Sequence, residues 1–459
     1  MSADKFSGPA PSLTPWHVAT FAICALFLLM LGPGFVRCFE PELNPPGDFF
    51  QDWASARNLI AGKPVYDNLR TAAGEYLGLD LTGKVVDGIV EVNGHPPTSI
   101  WWALPLASLD YRTAFFVWDL LSLTLVIASV GLIGRELGVE KFGVSTVAKG
   151  IALALLCNPL RQLLAQGQFG GVLLLLLTVG WVADRRGRAV AAGICVGLAA
   201  AIKLYPALII AYWFISGRWS RVAAAVIAGL GVVGATVGAM GWESIETYVR
   251  DVMPGMKAWY DSGLNLSLTG FWHRLFHGPN SVFVPLVADA RIAQFGVAVS
   301  SLAVLGIWGA IIYRSRRSPQ LEQACPDHAL PDHAWTVTIA AMTLLSPLTW
   351  DHSLVVLALP LALAWRHADG DLLKRAALTL VIIAFWLSPV IVWKLTLGAR
   401  FGRTFLSPAE SLTLFSFQFY AALLFFAVAA RQAWQALAPK QAPHHVHTME
   451  LPALSGLAS

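Results

Sequence analysis

"HVATFAICALFLLMLGPGFV", residues 17–36, holds no Asp, Glu, Lys or Arg. About 20 apolar residues in a helix cross the ~30 Å hydrocarbon core of a bilayer. The segment is too long for the apolar core of a signal peptide, and no small-x-small cleavage pattern follows it. It therefore reads as a retained first helix. The chain beyond keeps the same character, with 56% apolar and 13% charged residues, about half the charged share of a soluble domain. The expected fold is an all-α polytopic membrane protein. Its basic residues are dispersed rather than striped, so no nucleic-acid partner is expected. The five cysteines lack metal-ligand or disulfide spacing, and neither a metal nor a cofactor is expected.

Working outward, short basic clusters mark the cytoplasmic side. They are "GREL" with Lys141, "DRRGR" (184–188), "GRWSR" (217–221), "RSRR" (314–317), "RHADGDLLKR" (366–375) and Arg431 through Lys440. Fitting apolar segments between them gives about twelve crossings with both ends inside. They run roughly 17–36, 112–133, 147–160, 169–184, 189–202, 204–216, 220–240, 291–313, 335–349, 352–365, 376–393 and 411–430. A single transmembrane domain is expected over 17–431, between a cytoplasmic segment 1–16 and a disordered tail 432–459.

Two places strain this pattern. Only 28 residues separate "DRRGR" from "GRWSR", too few for two full crossings although both flanks belong inside. Two short half-helices turning near "KLYP" (203–206) resolve the conflict, and a second pair turns near "TWDH" (349–352). Broken helices are tolerated only where protein or a water-filled cavity lines them, so both breaks point to a site. Ordinary short helices in a tilted bundle are the plainer alternative.

Two outer loops are long, about 37–98 and 241–290. The first carries "PPGDFFQDWASARNLIAGKPVYD" (45–67), half greasy and half charged. Trp53, Ala54, Ala56, Leu59 and Ile60 fall close to helical spacing before Gly62 and Pro64. The reading is an amphipathic helix resting on the outer leaflet.

Polar residues that hydropathy alone would not place here gather on the same side. Asp48 and Asp52 follow the first helix, and His95 sits in "NGHPPTSIWW" (93–102). Arg161, Gln162, Gln166 and Gln168 lie in "NPLRQLLAQGQ" (158–168). Lys203 and Tyr205 stand at the first break, Asp351 and His352 at the second. Ionisable residues at membrane depth are costly and mark function by default, although snorkelling to headgroups explains any single one. Their types suit sugar transfer. A carboxylate can take a proton from a hydroxyl. Arg161, Lys203 and His352 can meet negative charge on a departing phosphate, and glutamine amides can bind sugar hydroxyls. Tryptophans near this face form an interfacial belt or stack on sugar rings.

"GDFFQDWASARNLIAGKPVYD", then "HPP" before an apolar helix, then "NPL…GQ", then "GLAAAIKLYP" resembles glycosyltransferase family 87 over roughly residues 40 to 365. The resemblance implies a membrane-embedded enzyme of the C superfamily, similar to polyprenyl-phosphate-mannose-dependent mannosyltransferases. It implies inverting transfer from a polyprenyl-phosphate sugar to a glycolipid or glycan acceptor on the extracytoplasmic face of a bacterial plasma membrane. Asp48, in Gly47-Asp48-Phe49, matches the family's general base. The sequence departs from the pattern twice. Asp52 stands where an aromatic residue is associated with the family, and His95 precedes Pro96-Pro97 where an aromatic is more usual. A transporter or lipid flippase is the competing class. It would explain broken helices and intramembrane charge, but it calls for inverted repeats and a midplane site.

Overall fold

Without water in a bilayer core, a spanning backbone must bond to itself, and the apolar runs accordingly form helices. A computed structural model describes residues 15–43, 46–79, 91–139, 144–277, 283–316, 332–398 and 405–437. Most of the N-terminal segment and of the expected tail lies outside these residues. Among the described residues there is no β-strand, only two isolated bridges. The helices of nine residues or more begin with α1 (Pro15–Val36), α2 (Asp48–Ile60), α3 (Leu69–Leu77) and α4 (Tyr111–Glu136). Then come α5 (Val144–Leu156), α6 (Asn158–Gln166), α7 (Gly170–Arg185), α8 (Ala189–Ile202), α9 (Ala207–Ile215) and α10 (Trp219–Met240). The second half adds α11 (Leu268–Phe276), α12 (Ala290–Arg316), α13 (Asp332–Leu345) and α14 (Ala358–Arg366). The chain closes with α15 (Leu372–Trp386), α16 (Pro389–Leu397) and α17 (Phe417–Ala436).

Five helices are long and apolar enough to cross a membrane: Val18–Phe39, Tyr111–Glu136, Trp219–Met240, Ala290–Arg316 and Pro408–Ala436. Two bent pairs, α5 with α6 at 63° and α15 with α16 at 77°, bring the number to seven if each is one span. All seven coincide with expected crossings. The other five expected crossings hold shorter pieces: α7, α8, α9, α13, and the 3-10 turn Asp351–Leu357 with α14. A 14-residue helix is about 21 Å long, short of the hydrocarbon thickness.

Two long spans lie at the periphery, α1 with none of its apolar window buried and α10 with 17%, whereas 56% of the window in the span that includes α17 is buried. The short ones form the interior, and every residue of α13 from Ala334 to Leu344 is buried. α8 approaches α10 closely because Gly193 and Gly197, one turn apart, share a face. A Cβ added at them would stand 2.5 Å from the Arg221 carbonyl and 2.3 Å from the Ala225 carbonyl.

Charge sorts the two ends. Asp184, buried in α7, pairs with Arg221 of α10 and accepts from Trp335 Nε1 at 2.9 Å. Asp332 accepts from Trp181 Nε1 at 3.0 Å and lies 3.6 Å from Arg185. The "DRRGR" and "GRWSR" clusters therefore meet at one end of the bundle. Lys203, at the far end of α8, belongs to the other.

The stretch 45–67 does form a helix, but not one that rests on a leaflet. Phe49, Phe50, Trp53, Ala54 and Ala56 of α2 are buried inside the protein. Phe49 stacks on Trp118 with ring centroids 5.4 Å apart, and Phe50 meets Tyr111 edge-on at 5.4 Å. Its greasy side serves the bundle, and of its apolar residues Ile60 remains exposed.

Candidate active site

Asp48 opens α2, with Gln51 and Asp52 three and four residues on and so on the same helical face. Gln51 Nε2 donates to Asp48 Oδ1 at 3.2 Å. Gln168 Nε2 donates to Asp48 Oδ2 at 2.6 Å and its Oε1 accepts from Lys203 Nζ at 2.9 Å. One amide thus joins a carboxylate at the start of α2 to an ammonium at the end of α8. The turn that delivers Gln168 needs Gly167. This residue has φ +62°, and a Cβ there would lie 2.6 Å from Phe49 Cβ.

The breaks supply the rest. α8 stops where Lys203 turns extended, at φ −140° and ψ 136°. Pro206 has no N–H to continue the helix. α13 stops at Leu345, and the chain over 346–350 is pinned from the second long loop. Asn265 Nδ2 donates to the Pro347 carbonyl at 3.0 Å, and Asn265 Oδ1 accepts from Thr349 N at 3.1 Å. Leu266 N donates to the Thr349 carbonyl at 2.7 Å. Buried Arg274 of α11 holds that loop, donating to the carbonyls of Ser262 and Asn265 at 3.0 and 2.7 Å. Asp351 then accepts from Asn158 Nδ2 at 2.9 Å, which ties it to the start of α6. His352 Nε2 is buried and has no hydrogen-bond partner among the described residues.

Both breaks open on one cavity of about 700 Å³, a size that holds a small organic ligand. Asp48, His95, Lys203 and His352 line its polar side, with Gln162, Gln166 and Gln168 beside them. Tyr205 and Asp351 also reach its wall. Leu204, Leu208, Met253, Met256, Trp259 and Leu264 make an apolar side. Of the tryptophans expected near this face, Trp350 lines the cavity, whereas Trp53 is buried beneath α2 and Trp101 donates to Thr236 Oγ1 at 2.9 Å.

Two expected site residues lie elsewhere. Asp52 sits behind the wall, 1% exposed, bonded to His95. Arg161 does not line the cavity. Its guanidinium lies against α1, 3.3 Å from where a Cβ on Gly34 would stand, and beside the Cys38 thiol. Gln162 and Gln166, four apart, share the face of α6 turned to the cavity, and Arg161 is about 100° round from Gln162.

Gln51, Asn93, Ser99, Asn158 and Asn265 escaped the sequence reading as site residues. All are uncharged. Their signal is weak: a small polar residue beside a helix break or one turn from a carboxylate.

A sequence profile of glycosyltransferase family 87 matches residues 94–347, more than half of the chain. The chain belongs to that family. No curated protein and no solved structure matches it. As a family-87 glycosyltransferase with several long apolar helices, it is a membrane enzyme that takes a sugar donor and an acceptor. His95, Gln162, Gln166, Gln168, Lys203 and Tyr205 fall within the matched residues, while Asp48, Gln51, Asp52, Asp351 and His352 fall outside them.

Proposed function

We propose that this glycosyltransferase moves a hexose, mannose first among candidates, from a polyprenyl-phosphate donor to a glycolipid or glycan acceptor. Transfer takes place on the extracytoplasmic face of the bacterial plasma membrane. The observation that carries this reading is the chain Asp48–Gln168–Lys203 on the wall of one cavity. It holds a proton acceptor and a positive charge at neighbouring points. The acceptor oxygen attacks the anomeric carbon while Asp48 takes its proton. The bond from that carbon to the phosphate oxygen breaks on the opposite side, so the configuration inverts. The departing electron pair collects on phosphate near Lys203 and His352, where positive charge and a ring N–H stabilise it as it grows. The apolar wall from Leu204 to Leu264 suits an isoprenoid chain. No nucleotide is called for, since the sugar arrives activated on its lipid. Purified protein in proteoliposomes is expected to transfer labelled hexose from a polyprenyl-phosphate donor to envelope lipids without any nucleotide sugar.

The reading includes about twelve crossings with both termini cytoplasmic and the breaks at Lys203 and Trp350 as hairpin tips facing out. The gathering of charged clusters at one end of α7, α8 and α13, and of the cavity at the other, supports it. Cysteine labelling should find 184–188 and 217–221 on one side and 60–79 and 255–277 on the other. Labelling of the two basic clusters from opposite sides would overturn the hairpin.

A further inference from the structure

His95 is held with more care than a wall residue needs. Its Nδ1 lies 2.8 Å from Asp52 Oδ2. Its backbone N–H donates to Asn93 Oδ1 at 2.9 Å, and its backbone carbonyl accepts from Tyr66 Oη at 2.8 Å. Burial holds the Tyr66 phenol well above its ordinary range, so it remains a donor. Asp52 Oδ1 takes Ser99 Oγ at 2.9 Å and Asn93 Nδ2 at 3.3 Å. A carboxylate in that setting is acceptor only, so the proton between it and His95 sits on Nδ1. In the neutral imidazole the other ring nitrogen, Nε2, then carries a bare lone pair. Among the described residues nothing donates to it, and the ring lines the cavity with 15% of its side chain exposed.

The ring is also tied to the proposed base. Gln51 Nε2 donates to Asp48, and Gln51 Oε1 accepts from Gly94 N at 2.9 Å. One glutamine thereby fixes the turn that carries His95 against Asp48. Two proton acceptors, Asp48 and His95 Nε2, face one cavity at a spacing held by that bridge. A simple alcohol needs one acceptor; two suit a molecule with neighbouring hydroxyls.

We infer that His95, oriented by Asp52, takes a hydrogen bond from a second hydroxyl of the acceptor while Asp48 engages the attacking one, so that the acceptor is a polyol such as a sugar ring. His95 is a specificity residue in this assignment and Asp52 a positioning residue acting through it. The inference rests on the transfer reading given above.

The substitutions that separate this from a structural pairing follow from shape. The amide of Asn falls near Nδ1 of His, and that of Gln near Nε2. His95→Asn therefore keeps the bond to Asp52 but offers nothing at Nε2, whereas His95→Gln keeps an acceptor there. Asp52→Asn acts through the tautomer. Ser99 and Asn93 hold the new amide's oxygen, its NH₂ faces Nδ1, and the ring proton moves to Nε2, which then donates instead of accepting.

Each protein is assayed in proteoliposomes with polyprenyl-phosphate-[¹⁴C]mannose as donor. The acceptor is a titrated glycolipid extract from a strain lacking the protein. Thermal melting and polyprenyl-phosphate binding verify folding and the donor side. His95→Asn and Asp52→Asn are expected to raise the acceptor KM about ten-fold, the worth of one hydrogen bond, with a smaller effect on kcat. His95→Gln is expected to recover most of that loss. A wild-type acceptor KM in folded His95→Asn would make the pair purely structural and overturn the inference. Failure of the wild-type protein itself to transfer would instead overturn the transfer reading, and this inference with it.

Discussion

Asp48→Asn is expected to lower turnover by about 10²–10⁴-fold, the range that a positioned general base contributes. The change keeps size and hydrogen-bonding capacity but removes the basic oxygen. Asp48 is the first residue of α2, and its oxygens are met by Gln51 and Gln168, whose amides hold it without neutralising it. Asparagine can accept the Gln168 bond through its own carbonyl, so the wall should keep its shape. Polyprenyl-phosphate binding should survive, because Asp48 is assigned to the acceptor. Asp52→Asn should cost less turnover, since Asp52 is walled off and reaches the cavity only through His95. Turnover of the two purified variants, each verified for folding and donor binding, makes the comparison. A wild-type rate in Asp48→Asn would remove the base assignment.

Lys203→Met should fall almost as far, about 10²–10³-fold in kcat, the usual loss when one group stabilising developing negative charge is removed. Charge on the phosphate grows as its bond to the sugar breaks, so the effect belongs to the transition state and KM should change less. Lys203 has Gln168 as its hydrogen-bond partner, and its ammonium keeps two further N–H donors for an incoming phosphate. Arg161→Met provides the contrast. With its guanidinium against α1 rather than in the cavity, it should disturb packing and leave the kcat of folded protein near wild type. The opposite ranking, with Arg161→Met the more severe in kcat, would move the leaving-group site away from Lys203.

Chain arithmetic accounts for much of what could be read from the sequence. Only 28 residues lie between "DRRGR" and "GRWSR", too few for two full helices, so the break at Lys203 follows from charge and length. The 48 residues between "RSRR" and "RHADGDLLKR" would hold two spans and leave the break before Asp351 without that constraint. Both breaks prove to border the cavity. Helical phase was harder. Arg161 and Gln162 are adjacent in sequence, yet one faces α1 and the other the cavity, and only the helix start at Asn158 fixes which. The burial of α2 depends on Tyr111 and Trp118, some sixty residues away, so its apolar face looked suited to a leaflet as much as to a core. Closure of the site was not legible at all. Asn265 pins Pro347 and Thr349 across more than eighty residues, and no local pattern announces such a pairing. The resemblance was drawn over residues 40 to 365, whereas the family match begins at Gly94 and ends at Pro347. Asp48 and His352 therefore rest on geometry rather than on that match.

The choice of donor tests the central claim most directly. Wild-type protein in proteoliposomes is given the glycolipid extract together with either polyprenyl-phosphate-[¹⁴C]mannose or GDP-[¹⁴C]mannose, with no other enzyme present. The expected result is label in the acceptor from the polyprenyl-phosphate donor alone, with the anomeric configuration inverted. Transfer from the nucleotide sugar alone, or product that retains the donor's configuration, would contradict it.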